Sequence, residues 1–314
     1  MSSSAEERVL SLIIPVYYNA ESLRDVAKAV AWLEAALAQR KLGLEAIFVD
    51  DGSGDDSLAE LLKIKNARPA TKIIKFTRNF GAVQAVRAGM RHATGDVVAY
   101  MAADLQDPIE QVVAMVDAWL AGGRYVISVR RSRADPLLTR IAARIYYRLI
   151  RMLVAPDFPR KGYDFRLMDR AIAKQHEAIP AYVNPIIFEF YLGFKPTVLE
   201  YDRRERVHGK SRWSFRKRLN LMLDTILGFS VRPLRMFSAI GVLTAAASVC
   251  YGIFLVIATL LHGGDMPGFA TIATLISFFF SLVLLMLGII GEYIWRIFDR
   301  VTQRPESVIE ETYF

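Results

Sequence analysis

The sequence predicts an α/β protein with a mostly parallel sheet, followed by a membrane-spanning helical hairpin. Short β-rich runs alternate with helical patterns over the first half of the chain. Two charge-free runs of 26 residues lie near the C-terminal end. At roughly 150 residues per domain, the 314 residues hold about two folded units. An apolar share of 53% against 23% charged residues excludes a disordered chain. The single cysteine, Cys250, excludes an intramolecular disulfide framework and any multi-cysteine zinc site.

Strands are predicted over residues 10–18, 44–50, 71–77, 96–102 and 124–129, with helices over 21–39, 55–65, 81–93 and 108–120 between them. Asp107-Pro108 supplies an N-cap and a first-turn proline for the last helix. In open sheets of this kind ligands bind beyond the carboxyl ends of the strands. Those ends read Pro15-Val-Tyr17-Tyr18-Asn19-Ala-Glu21, Asp50-Asp51-Gly52-Ser53, Arg78-Asn79-Phe80-Gly81 and Asp104-Leu105-Gln106-Asp107. Four successive strand ends thus place carboxylates, an amide, aromatic faces and a glycine turn on one rim.

Asp50 and Asp51 can accept hydrogen bonds from a nucleobase and ribose, and Gly52 permits the tight turn that brings them there. Asp104 and Gln106 alternate around one residue, so two oxygens can face one divalent ion that neutralises a diphosphate. No GxGxxG follows the first strand and no GxxxxGK[ST] occurs. The expected ligand is therefore a nucleotide diphosphate conjugate rather than a dinucleotide or a P-loop nucleotide.

Further along, residues 124–218 hold 22 Lys and Arg against 9 Asp and Glu, an excess of 13 that exceeds the whole-chain net charge of +8. Such a region beside membrane spans attracts anionic headgroups by ~1 kcal/mol per basic residue near the surface. A helix over 136–154 carries Arg140, Arg144, Arg148 and Arg151 along one face. Residues 213–229 (WSFRKRLNLMLDTILGF) read as an interfacial amphipathic helix, with an ordinary core-facing helix as the alternative.

The charge-free runs are Met236 to Leu261 and Met266 to Gly291. Each would reach ~39 Å as a helix, enough to cross a ~30 Å hydrocarbon core with some tilt. Arg232 and Arg235 flank the first run, Arg296, Arg300 and Arg304 follow the second, and the connection has neither Lys nor Arg. Both flanks are accordingly expected in the cytoplasm. The polar N-terminus has no long apolar stretch of the signal-peptide kind. The expected organisation is a cytosolic catalytic domain over 1–212, a juxtamembrane amphipathic segment over 213–235, two transmembrane helices over 236–296 (about 236–261 and 266–293) and a cytosolic tail over 297–314.

Taken in order, VDDGSGDDS, RNFG, ADLQDP, DFRLMDR and RERVHGKSRWSF, followed by two membrane helices, resemble the polyprenyl-phosphate glycosyltransferases of glycosyltransferase family 2. The dolichol-phosphate mannose synthases and bacterial undecaprenyl-phosphate sugar transferases form the relevant branch. The resemblance covers nearly the whole chain. It implies a GT-A fold, transfer of a sugar from a UDP- or GDP-linked donor to a polyprenyl phosphate, inversion at the anomeric carbon, and Mg2+ or Mn2+ as cofactor. By the same resemblance Pro15, Tyr17, Glu21, Asp50, Asp51 and Asp104 face the nucleotide sugar, and Asp104 and Gln106 hold the metal. Arg130, Arg140, Arg166, Arg206 and Ser211 face the acceptor phosphate. Asp164 matches the position considered for the general base, with orientation of the acceptor or sugar as its other role.

Ala102 departs from the pattern, because it stands where the family's metal block has its first carboxylate. Two other classes stay open at this point: transfer to a lipid hydroxyl, which needs a working base, and a non-catalytic membrane-anchored nucleotide-sugar binding protein. The expected partners are the donor, the lipid acceptor and the membrane, with homo-oligomerisation left open. Nucleic acid is not expected, since the membrane accounts for the basic residues beside the spans. The expected location is the inner membrane, with the catalytic domain and both termini cytoplasmic.

Overall fold

The computed structural model describes residues 8–131, 137–160, 162–163, 165–177, 183–202, 225–226, 228–230, 232–262, 268–302 and 305–314. They divide into two compact units, one of residues 1–225 with 305–314 and one of residues 226–304.

The first unit is built on an eight-stranded mixed sheet. Its strands are β1 (Arg8–Val16), β2 (Leu42–Asp50), β3 (Lys72–Phe76), β4 (Val97–Tyr100), β5 (Tyr125–Arg130), β6 (Phe165–Asp169), β7 (Thr197–Tyr201) and β8 (Ile309–Tyr313). They lie in the order β7-β5-β6-β4-β1-β2-β3-β8. The pairs β1–β2, β1–β4, β2–β3 and β5–β7 are parallel. β6 runs antiparallel between β4 and β5, and β8 antiparallel along β3. The central strands are buried almost throughout, Leu12 to Ile14 on β1 and Ala46 to Val49 on β2 being fully enclosed. Burial on both faces explains why these runs are continuously apolar rather than alternating.

Helices α1 (Ala20–Ala38), α2 (Ser57–Ala67), α3 (Ala82–His92) and α4 (Ile109–Leu120) follow the first four strands, within two residues of each predicted start. In α1 the residues Leu23, Val26, Val30, Leu33 and Leu37 are buried, a 3-4-3-4 spacing that turns one stripe to the sheet. Helix α5 (Leu137–Leu153) leaves Ile141, Ile145 and Met152 exposed together with Arg144 and Arg148. After β6 come α6 (Arg170–Ala173), a 3-10 turn (Lys174–Glu177) and α7 (Pro185–Tyr191). The Asn184 side chain accepts the Ile186 amide and so caps α7.

The second unit contains α8 (Arg232–His262) and α9 (Phe269–Thr302), of 31 and 34 residues. Both are long and apolar enough to cross a membrane, with qualifying stretches Leu234–Phe254 and Phe278–Thr302 of mean hydropathy 1.8 and 2.0, neither of them buried. α8 extends past its charge-free run at both ends, and α9 extends past its own only at the C-terminal end. The Tyr293 hydroxyl donates to the Ser230 carbonyl at 2.8 Å within this unit. Most of the segment 213–235, read as interfacial from sequence, lies outside the described residues.

Candidate active site

Topology gathers one rim. β1 to β4 are parallel, and two successive antiparallel pairings return β5 to their direction, with β7 parallel to it. The carboxyl ends of all six therefore face the same way, and the antiparallel β6 presents its first residue, Phe165, on that side, opposite Ser128. This is the edge that the sequence marks as chemical.

At the β2 end, Asp50 is fully buried. Its Oδ1 accepts the Ser53 amide at 3.0 Å, whereas Oδ2 has no hydrogen-bond partner among the described residues. A buried carboxylate oxygen left unpaired is costly, and a ligand donor would satisfy it. Asp51 is used differently. Its Oδ1 accepts the Phe80 amide at 2.6 Å, and its Oδ2 accepts the Asn79 side chain and the Gly81 amide, both at 2.9 Å. Burial pushes the Asp51 carboxyl above its ordinary value, the Phe80 and Gly81 amides oppose that, and the Asp50 charge adds to it. Asp51 thus ties the β3 turn to the β2 end.

Gly52 makes that tie sterically feasible. Its φ is +67°, and a Cβ there would stand 2.4 Å from the Arg78 carbonyl carbon. The Arg78 guanidinium lies over the Phe80 ring, 4.1 Å from its centroid. At the β1 end, the Tyr17 amide donates to Asn19 Oδ1, the Tyr18 amide to Ser53 Oγ and the Asn19 amide to Ser57 Oγ, each at 3.0 Å. Tyr17 and Pro15 are half-buried, and Glu21 is exposed in the first turn of α1.

At the β4 end, Asp104 and Gln106 are both half-buried in a turn whose Leu105 has φ +52°, and the Gln106 amide donates to Asp104 Oδ1 at 3.3 Å. Among the described residues no three His, Cys, Asp or Glu side chains gather as a metal cluster. Ala102 agrees with that, since it adds no oxygen. One carboxylate and one amide carbonyl are hard donors that suit a small divalent ion completing its shell with water and substrate phosphate. The residues present fit such an ion. Buried Asp107 accepts the Tyr201 hydroxyl at 2.6 Å, and Arg130 also hydrogen-bonds Tyr201. Burial and Asp107 push the Tyr201 hydroxyl upward, so it stays a donor. This bridge puts Arg130, at the end of β5, beside the ADLQDP turn.

Arg166 is placed under the rim. It is 3% exposed, pairs through Nε with Glu189 Oε1 at 2.6 Å, and stacks over Tyr100 at 4.7 Å. Glu189 also accepts the Tyr125 hydroxyl at 2.5 Å and sits 3.2 Å from His176 Nε2. Burial alone would raise Glu189, but Arg166 and His176 outweigh it and hold the carboxyl below its ordinary value. Sequence reasoning missed Glu189, although a lone carboxylate within the apolar run of α7 signals a buried charge partner. Asp164, Arg206, Ser211 and the side chain of Arg140 lie outside the described residues.

A depression of about 470 Å³ lined by Arg8, Asp96, Trp119 and Arg124 lies at the amino ends of the strands. It is on the opposite edge from Asp50, Asp104 and Arg130.

The glycosyl transferase family 2 profile matches residues 11–177, from the first strand to the turn after β6. The chain belongs to glycosyltransferase family 2. It is a glycosyltransferase, and residues 232–297 match a second profile, the GtrB C-terminal hairpin. The chain is 33% identical over 308 residues to the SfII prophage-derived bactoprenol glucosyl transferase of Shigella flexneri, covering 97% of this chain and 98% of the relative. It is 34% identical over 306 residues to the uncharacterized glycosyltransferase YkcC of Bacillus subtilis, covering 96% and 94%. Among solved structures, glucosyl-3-phosphoglycerate synthase from Mycobacterium tuberculosis, in complex with Mn2+, UDP-glucose and phosphoglyceric acid, superposes with a TM-score of 0.51 at 14% identity, covering 70% of this chain and 78% of that one. Mannosyltransferase PcManGT from Pyrobaculum calidifontis, in complex with GDP-mannose and Mn2+, gives 0.50 at 16% identity, covering 93% and 88%. These likenesses show the GT-A fold.

Proposed function

We propose that the protein is a membrane-bound inverting glycosyltransferase that moves a sugar from a UDP- or GDP-linked donor to a polyprenyl phosphate such as undecaprenyl phosphate. The observation that carries this reading is the full-length likeness to a bactoprenol glucosyl transferase, which takes in the nucleotide rim and the C-terminal hairpin together. Asp50 and the turns around it receive the nucleoside. Asp104 and Gln106 would hold the divalent ion, Mg2+ or Mn2+, which when bound neutralises the donor diphosphate.

In the reaction an oxygen of the lipid phosphate attacks the anomeric carbon while the bond to the nucleoside diphosphate breaks on the opposite face. A phosphate monoester has a second pKa near ~6, so the nucleophile is already largely ionised at neutral pH. Asp164, one residue before β6, then serves as base or as orienting group. The acceptor phosphate is assigned to Arg130, Arg140, Arg206 and Ser211. Arg166, expected from the sequence to face the acceptor phosphate, is instead proposed to back the rim from below, since it is buried with its charge engaged by Glu189.

The length and apolar composition of α8 and α9 support membrane attachment. The chain leaves the sheet unit near residue 225 and rejoins it at 305, so two crossings return it to one side. With the flanking arginines this supports a cytoplasmic catalytic domain and termini. The exposed Ile141, Ile145 and Met152 beside Arg144 and Arg148 on α5 suit the surface of an anionic bilayer.

The test uses purified protein in detergent with Mn2+ or Mg2+, undecaprenyl phosphate and a panel of UDP- and GDP-sugars. Nucleoside diphosphate should be released only when the lipid phosphate is present. Release at the same rate without the lipid, or none with any donor, refutes the proposed reaction. Asp104→Asn should remove most turnover while leaving the melting temperature in place.

A further inference from the structure

Five of the last ten residues, Ile309–Tyr313, form the edge strand β8 of the sheet. β8 runs antiparallel along β3, with Ile73 opposite Tyr313, Ile74 opposite Thr312 and Lys75 opposite Glu311. The register shifts between Lys75 and Phe76, and beyond the shift the Thr77 amide donates to the Val308 carbonyl at 3.1 Å. The segment therefore arrives at the rim end of β3 and runs away from it, finishing where Phe314 meets Lys72 and His92 at the far end.

Glu306 makes a second attachment. Its Oε1 lies 2.9 Å from an Arg87 Nη and its Oε2 2.9 Å from an Arg91 Nη. Arg87 and Arg91 stand four residues apart on α3 and so share one face. Arg87 is 2% exposed and also donates to the His176 carbonyl at 3.3 Å. Burial penalises its charge, and Glu306 is the carboxylate that compensates.

The two attachments bracket one turn. Residues 77–81 connect the end of β3, held by Val308, to α3, which is held at its middle through Arg87 and in its last turn through Arg91. That turn carries the Asn79 side chain and the Phe80 and Gly81 amides onto Asp51, next to the unpaired oxygen of Asp50. Only Gln303 and Arg304 separate the end of α9 from Pro305.

We propose that Glu306 is a positioning residue of the donor site, and that residues 305–314 act as a strap fixing the 77–81 turn. The inference rests on the donor reading of this rim given above. Loosening the strap lets the turn leave Asp51, so the donor is held less well while the lipid acceptor, on the β5 and β7 side, is unaffected.

The experiment compares full-length wild type with Glu306→Gln and Glu306→Asp in lipid nanodiscs. Amide hydrogen exchange is read without substrate, and KM is read separately for the nucleotide sugar and for undecaprenyl phosphate. In Glu306→Gln, exchange over residues 77–81 should rise about tenfold with β5 unchanged, and donor KM should rise about tenfold with lipid KM unchanged. Glu306→Asp should recover part of both. Glu310→Gln, which removes only an exposed partner of Lys75, should leave both readouts in place. Should Glu306→Gln fail to fold, Arg91→Ala, at a half-exposed arm of the clamp, should give the same pattern more weakly. Unchanged exchange over 77–81, exchange rising equally across the sheet, or a rise confined to lipid KM would each overturn the proposal. An absence of turnover in wild type would instead count against the proposed reaction, because the exchange comparison stands without it.

Discussion

Asp50→Asn is the most informative single change at the rim. The wild-type carboxylate is fully buried, with Oδ1 holding the Ser53 amide at 3.0 Å and Oδ2 unpaired among the described residues. Asparagine can keep the Ser53 bond through its carbonyl, so the turn retains its shape. In place of Oδ2 it puts an NH2 group, which cannot accept from a nucleoside donor. A hydrogen bond to a charged group contributes about 1.5–3 kcal/mol, so nucleotide Kd should weaken roughly ten- to 150-fold. Calorimetric titration of UDP and GDP with Mn2+ into both proteins measures this, with thermal unfolding as the control for the fold. A Kd unchanged within about twofold, at equal melting temperature, would show that Asp50 does not face the nucleotide and refute the reasoning.

Other changes probe the supports of the site. Gly52→Ala forces a Cβ to 2.4 Å from the Arg78 carbonyl carbon at a φ of +67°. It should destabilise the sheet unit by about 2 kcal/mol or more, read as a fall in melting temperature. Glu189→Ala strands the Arg166 charge in the interior and should cost ~3–5 kcal/mol, whereas Arg166→Met with Glu189→Leu should recover most of it. Equal losses in the single and double variants would dismiss the buried pair as the cause. Burial works to raise Glu45, but Lys72, Ser11 and Thr94 bring it from 4.5 down to about 2. Because its folded pKa is depressed, the stability it adds is complete above 4.5 and is lost as pH falls toward about 2. Chemical denaturation of wild type across that window should show a loss on the order of 3 kcal/mol that Glu45→Gln lacks.

Much of the donor side was legible in the sequence because it is local. Each β-rich run ends in residues that can do chemistry, and in a parallel sheet all such ends meet at one edge. Helix positions were legible for the same reason, as the α1 stripe from Leu23 to Leu37 illustrates. What escaped is non-local. β6 was not read as a strand, and its antiparallel insertion between β4 and β5 depends on pairings such as Ala99 with Leu167 that no local pattern encodes. β8 has the polar sequence IEETY and reads as tail; only the unfilled edge of β3, more than 230 residues earlier, makes it a strand. The division of labour between the two aspartates was equally hidden. Asp50 and Asp51 look alike in sequence, yet one is spent on the Asn79 to Gly81 turn and the other keeps an unpaired oxygen. Glu306 and Glu189 gain meaning only from the arginines that folding brings to them.

The central claim, sugar transfer from a nucleotide donor onto a lipid phosphate, is tested most directly by the bond in the product. Protein in detergent with undecaprenyl phosphate and a radiolabelled sugar nucleotide should move label into the organic phase. Mild acid should then return that label to water, since a sugar joined through its anomeric carbon to phosphate is acid-labile. Organic-phase label that survives mild acid would mean a glycosidic bond to a lipid hydroxyl and would contradict a phosphate acceptor.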